Sequence, residues 1–344
     1  MIQQYDMEEV IIIKRIIAVC LLFLTAALAA GCTSAQEQES SRSDNTAAAV
    51  RLGGLKGPTS IGMVKLLDDA EQKQTDNSYS FTMAGSADEL TPKLLKGELD
   101  ILAVPANLAS VLYNNSDGAV QVIAVNTLGV LSIAEKGGND INSIADLKGK
   151  KLLASGKDST PEYALDYLLK ENGIDTEQDV EIEWKSEPSE IVAEMAASEY
   201  TVAMLPQPYA AVAAGQFDDL HLALDLTEEW DALDNDSRLI TAVLAVRKEF
   251  AEQNADAIQQ FLAEYKQSTD YVNQNPADAS LLVEKYDIVK AAIAEKAIPN
   301  CNIVCITGNE MQESLDGYLH ILYDMNSKSV GGKVPDEQFY RIYE

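Results

Sequence analysis

The chain of 344 residues carries 55 acidic and 26 basic side chains, a formal net charge of −29. Its length suits two domains with substantial cores rather than one minimal domain, and its acidity argues against a sequence-independent grip on nucleic acid or on an anionic membrane, since both need a basic surface. With His221 and His320 as its only histidines, it is poorly equipped for hydrolase chemistry or for most metal sites.

At the N-terminus, Lys14 and Arg15 precede "IIAVCLLFLTAALAAGC", an apolar run too short to span a bilayer and then hold as a helix, with small residues before Cys32. Residues 1–31 read as an export signal. The end of that run, "LAAGC", resembles the bacterial lipobox, which implies that Cys32 is acylated and becomes the new N-terminus. Ala29 stands where the lipobox prefers leucine, and Asp6, Glu8 and Glu9 make the first residues unusually acidic, which leaves Met7 as an alternative start. Residues 32–49 are polar and without apolar periodicity, as in a flexible tether. The folded body is expected from Val50 onward.

The body opens with a strand at Arg51–Leu55, followed by Met63, Val64, Leu66, Leu67 and Ala70 at helical spacing. "YSFTMAGS" predicts a second strand, and Ser86 with Glu89 has capping-box spacing for a helix ending at Gly97. "DILAVP" is a nearly continuous apolar run, as in a strand buried on both faces, and Asn107 is placed to cap a short helix holding Leu108, Val111 and Leu112. "VQVIAVNTLGVLSIAE" is long enough for two strands or for one strand crossing between lobes. A second lobe restarts the pattern. "INSIADLKGKKLLAS" gives a short helix and a strand, and "GKDSTPEYALDYLLKENG" a glycine turn, a cap at Ser159 or Thr160, Pro161 at the helix start and a stop at Asn172 and Gly173. "VEIEW", a helix from Ser189 through Ala197, and "YTVAMLPQPYAAVAAG" follow. After Leu226 come the acidic "TEEWDALDNDS", a strand at Leu239–Val246 that serves as a second connector, and amphipathic helices around Phe261, Leu281 and Leu319. Alternation of this kind implies an α/β fold. Cys301 and Cys305, in "PNCNIVCITG", are either two buried thiols or one local disulfide, and they lack the further ligands of a metal site.

Ligands of open α/β sheets collect where strands pass into helices. Here those turns hold Gly57, Thr59 and Ser60, then Ser86, then Pro105 and Asn107, and in the second lobe Ser159, Thr160, Pro206 and Gln207. They are small hydroxyls, amides, glycines and prolines, beside helix N-termini whose free N–H groups attract negative charge. "GGLKGPTS" is not a phosphate-binding nucleotide loop, because Lys56 precedes Gly57 and Pro58 follows it. Ser60 lacks the flanking glycine and the histidine of a nucleophile elbow. For Thr59 and Ser60 the alternative to ligand contact is plain helix capping. Among the aromatics, Tyr163, one turn after Thr160, is the candidate for stacking on a ligand.

Taken in order, "GGLKGPTSIGMVKL", "ELDILAVPANLASVLYN", "IADLKGKKLLASGKDSTPEYALDYLLKENGID", "AMLPQPY" and "GGKVPDEQFY" resemble the type II periplasmic binding proteins of ABC importers, in the group of nitrate, sulfonate, taurine and thiamine-precursor binders. The resemblance covers Cys32 to about Tyr340, and "DLKGKK" with "STPE" is its most specific part. It implies a two-lobed α/β fold in which each lobe is a mostly parallel sheet flanked by helices, the two joined by crossover strands. Lobe I would comprise residues 50–127 and 240–344, lobe II residues 128–239, with the hinge at Asn126, Thr127 and Thr241. It implies ligand contacts at Gly57, Thr59, Ser60, Ser86, Pro105, Asn107, Ser159, Thr160, Tyr163 and Gln207, and neither cofactor, metal nor catalytic residue. The expected protein is a monomeric extracytoplasmic receptor, anchored through lipid on Cys32, that hands a small heterocycle or a sulfonate-like anion to a permease. An extracellular sensor is the alternative, as is an enzyme on the same scaffold; a pyrimidine-forming synthase of that kind calls for histidine and cysteine clusters that this chain lacks.

Overall fold

The computed structural model describes residues 48–157 and 159–343; the export signal, Cys32 and nearly all of the tether lie outside the described residues. The chain begins with β1 (Ala49–Leu55), β2 (Ser78–Ala84), β3 (Ile101–Pro105) and β4 (Val120–Leu128), and continues through β5 (Leu131–Lys136), β6 (Lys151–Ser155), β7 (Glu181–Lys185), β8 (Thr201–Pro206) and β9 (Leu220–Asp225) to β10 (Ile240–Arg247) and β11 (Ile303–Ile306). These strands form two sheets, in the orders β11-β4-β10-β3-β1-β2 and β7-β6-β8-β5-β9. The parallel pairs are β1 with β2 and β3, and β6 with β7 and β8. The remaining pairs are antiparallel: β10 lies between β3 and β4, β11 against β4, and β5 between β8 and β9. Both sheets are therefore mixed. The strand–helix–strand repeats give each its parallel half, and the strands that carry the chain between sheets give the antiparallel half.

Apolar continuity explains the central strands. Ile101–Val104 and all nine residues of β4 are buried, as expected where helices cover both faces of a sheet. The long "VQVIAVNTLGVLSIAE" run resolves into two strands in different sheets, and the chain passes from one to the other through Gly129 and Val130. Helix Ala255–Gln274 buries Ile258, Phe261, Leu262 and Tyr265 against the first sheet. A separate apolar cluster runs from Leu128 and Ile240 on the first sheet to Leu131 and Leu224 on the second, through Leu226, Trp230 and Tyr318. At about 1.5–3 kcal/mol for each fully buried Leu, Ile or Val, such clusters outweigh the helix caps, each worth about 1 kcal/mol.

The segment around the two cysteines was opaque in sequence. "IVCI" forms β11, an edge strand too short to announce itself by alternation, entered through Asn302 in the left-handed region at φ 45. Cys301 is buried, Cys305 half-buried, and both are free thiols, so the disulfide alternative does not hold. Burial pushes each thiol up to about 12, far from the thiolate range that makes cysteine reactive. Iodoacetamide at pH 8 should leave both unlabelled in the folded protein and label both in denaturant; labelling of the folded form would show that this edge opens.

Candidate functional site

The site is built where β1, β3, β6 and β8 end. Gly57, not Thr59 or Ser60, occupies the cap position before the short helix Pro58–Ile61, with φ 135, a conformation open to glycine alone. Thr59 and Ser60 lie inside that helix, and their hydroxyls donate back to the Leu55 carbonyl at 3.3 and 2.6 Å. The plain-capping alternative for this pair is thereby removed, while each hydroxyl oxygen keeps its acceptor capacity. A Cβ at Gly54 would come within 2.3 Å of Ser60 Oγ, so the second glycine of "GG" is what lets this helix press onto β1. From beneath, Asn126 donates to the Thr59 carbonyl at 2.8 Å.

Pro105 ends β3 and is the cap residue of helix Ala106–Asn115. Asn107 therefore sits in the first turn instead of capping it; proline at the strand end starts the helix two residues earlier than the asparagine suggests. Its amide donates to Ser329 O at 3.3 Å. Ser159 is the cap residue of helix Thr160–Glu171, with Pro161 in its first turn. Its hydroxyl turns back to Gly156 O at 2.5 Å and makes no cap bond. Thr160 Oγ1 donates to Asn107 Oδ1 at 3.4 Å, which joins a helix following the first sheet to one following the second. Tyr163 is buried, and its hydroxyl accepts from Asn326 Nδ2 at 3.1 Å.

Gln207 follows β8. Its backbone N–H donates to Val130 O at 2.9 Å, at the passage between the sheets. Its side chain is 3 % exposed, and neither Oε1 nor Nε2 meets a hydrogen-bond partner in the protein. Helix Tyr209–Gln216 begins directly after it, and Ala211 of that helix packs in one cluster with Ile61, the residue after Ser60. The expected residues of β1, β3, β6 and β8 thus approach from both sheets. Ser86 stands apart: it is exposed, opens a single 3-10 turn at Ala87–Glu89, and reaches only Glu89 at 3.4 Å, so the expected capping box does not form a continuous helix. Helix Thr91–Leu95 is a separate element starting at Thr91 with Pro92.

Sequence reasoning missed Asn326 and Tyr318. Tyr318 is fully buried on helix Gly308–Met325, its hydroxyl facing Thr160 without a bond of normal geometry; a tyrosine among leucines was its one signal. Asp166, on helix Thr160–Glu171, lines a groove of about 560 Å³ with Lys170, Ile174 and Asp324. Burial, with the nearby Glu162 carboxylate, pushes Asp166 up to about 6. A carboxyl raised in this way favours the folded state only while protonated, so its penalty is absent below about pH 4 and complete above about pH 6. Asp166→Asn should therefore raise the melting temperature at pH 7 and converge with the parent near pH 4; a constant offset across that range would refute the assignment. Among the described residues no group of three or more His, Cys, Asp or Glu side chains is placed to hold a metal, and no helix is long and apolar enough to cross a membrane.

Two mixed sheets flanked by helices, with polar turns meeting where the chain passes between them, are the architecture of the two-lobed periplasmic binding proteins. Several solved structures share it. An ABC transporter from Parabacteroides distasonis is 20% identical over 86% of this chain and 100% of its own, with a TM-score of 0.72. The aliphatic sulphonate binding protein SsuA from Escherichia coli is 16% identical over 86% and 92%, with a TM-score of 0.66, and the nitrate-binding protein NrtA from Synechocystis PCC 6803 is 11% identical over 83% and 84%, with a TM-score of 0.52. At such identities the likeness speaks for the fold. No curated protein matches the sequence. The chain belongs to the family described as ABC transporter, phosphonate, periplasmic substrate-binding protein, whose model matches residues 65–295. It is a substrate-binding component of an ABC import system, not an enzyme.

Proposed function

We propose that the protein is a lipid-anchored, monomeric receptor that closes two lobes around a small solute, a heterocycle or a sulfonate-like anion, and delivers it to its permease. Lobe I comprises residues 50–127 and 240–344, lobe II residues 128–239. The observation that carries this reading is the contact of Thr160 with Asn107, one residue from each rim, since a ligand drives closure only if it touches both lobes. Gly57, Thr59, Ser60, Pro105 and Asn107 form one rim and Ser159, Thr160, Tyr163 and Gln207 the other, with Ser86 outside both on its exposed loop. Asn126, Thr127 and Thr241 form the hinge. Support for the hinge comes from Thr241, which falls in a register shift between Ile240 and Ala242 where β10 pairs with β4, a place where a strand bends readily.

The test is to purify the protein from its native host, unfold it, and identify released small molecules by mass spectrometry; the released compound, added back, should raise the melting temperature by mass action. Release of nothing, with no response to a solute panel, would count against capture. Thr160→Ala should weaken binding of that compound about tenfold, yet change the stability of the empty protein by no more than about 0.5 kcal/mol, because a long, partly exposed hydrogen bond contributes little. Cys32→Ser should move the protein from the membrane fraction to the soluble one, with loss of metabolic labelling by palmitate.

A further inference from the structure

We infer that the solute is uncharged where it meets lobe II, and that it presents a hydrogen-bond donor beside an acceptor, the edge of a lactam, ureide, carboxamide or pyrimidinone, to the side chain of Gln207. This rests on the receptor function proposed above. Gln207 is 97% buried, and both ends of its amide lack a protein partner. A buried primary amide seeks one acceptor for its N–H groups and one donor for its carbonyl. A flat group with C=O and N–H side by side satisfies both at once, with two parallel hydrogen bonds. An oxyanion satisfies only the N–H groups and sets negative charge beside the unpaired carbonyl oxygen.

The arginines and the buried lysine lend no charge to the site. The described arginines are engaged elsewhere: Arg51 and Arg247 with Asp100, Arg238 with Asp231 and Glu310, and Arg341 with Ala251 O and the Tyr343 ring. The one buried lysine among the described residues, Lys136, bonds Ser198 O and pairs with Asp219. The other unsatisfied atoms near the passage between the sheets, Asn126 Oδ1 and Thr127 Oγ1, are neutral as well. Recognition of a phosphonate or sulfonate commonly uses arginine forks, and each described arginine already has an acidic, carbonyl or ring partner.

The experiment compares two probe sets on the full chain by thermal shift and calorimetry: uracil, 2-pyrrolidinone and nicotinamide against methylphosphonate, ethanesulfonate and nitrate. The expected result is stabilisation by at least one uncharged probe and by none of the anions, with affinity that changes less than twofold between 20 and 500 mM salt. Gln207→Met, which removes both the donor and the acceptor at nearly the same side-chain length, should weaken the responding probe at least tenfold without lowering the melting temperature of the empty protein. Stabilisation by an anion alone overturns the inference and leaves the receptor function standing. Silence from both sets overturns the inference and counts against the receptor function too. An uncharged probe whose affinity survives Gln207→Met unchanged also overturns it, because the contact would then lie elsewhere.

Discussion

Gln207→Leu is expected to raise the melting temperature of the empty protein by about 2–5 °C and to abolish its response to ligand. Both effects have one cause. Gln207 is buried to 3% exposure with two amide atoms that no protein group satisfies, and a buried polar group without a partner costs about 1–3 kcal/mol. Leucine has no polar atom to leave unpaired, so the desolvation penalty disappears. The net gain, about 1–2 kcal/mol after imperfect repacking, corresponds to the stated shift for a domain of this size. Binding moves the other way. A ligand group that pairs with the amide would meet a methyl group, leaving its own polar atoms buried and unpaired, and affinity should fall at least a hundredfold. Differential scanning calorimetry with and without the compound released from the native protein checks both halves. A lower melting temperature in the variant would show that the amide supports the fold, and its role in the site would then have to be abandoned. The trade of stability for function is expected where a site must hold unsatisfied groups in readiness.

How much of this could be read in the sequence depends on the signal each element carries. β3 and β4 were legible because both faces are buried, so that "ILAVP" is apolar without interruption and "VQVIAV" is broken only by Gln121. Helix Thr160–Glu171 was legible from Pro161 at its start and Gly173 beyond its end, at φ 72. β11 was not, since four residues at a sheet edge offer too few alternations, and helix Ala291–Ala297 was hidden because alanines carry no amphipathic contrast. The mixed sheets were only partly legible. Alternating strands and helices announce parallel pairing, whereas the insertion of β10 between β3 and β4 depends on contacts more than a hundred residues apart. At the site, the turn residues could be located, since strand ends mark them, but their hydrogen bonds could not. Nothing in "GPTS" says that both hydroxyls turn to Leu55 O, and nothing in "PANL" says that Asn107 meets Thr160. The pairing of Tyr163 with Asn326, separated by 163 residues, is likewise a property of the fold alone.

Trp230→Ala is expected to cost about 3–5 kcal/mol, the range for deleting a large aromatic from a packed core. Trp230 is fully buried between two rings, with Tyr167 at a centroid distance of 4.6 Å and Tyr318 at 5.7 Å. Tyr167 belongs to helix Thr160–Glu171 and Tyr318 to helix Gly308–Met325, so the indole couples the two helices that also carry Thr160 and Asn326 into the site. Its N–H donates to Ser237 Oγ at 2.9 Å, and Ser237 is held in turn by Asn235, whose amide donates to Tyr167. Alanine would leave a cavity among these rings and also remove the bond donated to Ser237 Oγ. Phenylalanine would keep most of the stacking and lose the N–H bond, at about 1–2 kcal/mol. Urea denaturation of the two variants separates the terms: a large loss in Trp230→Ala with a small one in Trp230→Phe assigns the stabilisation to ring packing, whereas equal losses assign it to the hydrogen-bond chain through Ser237. Affinity for the released compound should fall in Trp230→Ala by less than in Gln207→Leu, because the indole holds the second rim in place without touching the ligand. An undiminished melting temperature in Trp230→Ala would mean that the cluster joining the two sheets does not bear on their stability, and the two lobes would then have to be treated as independently stable units.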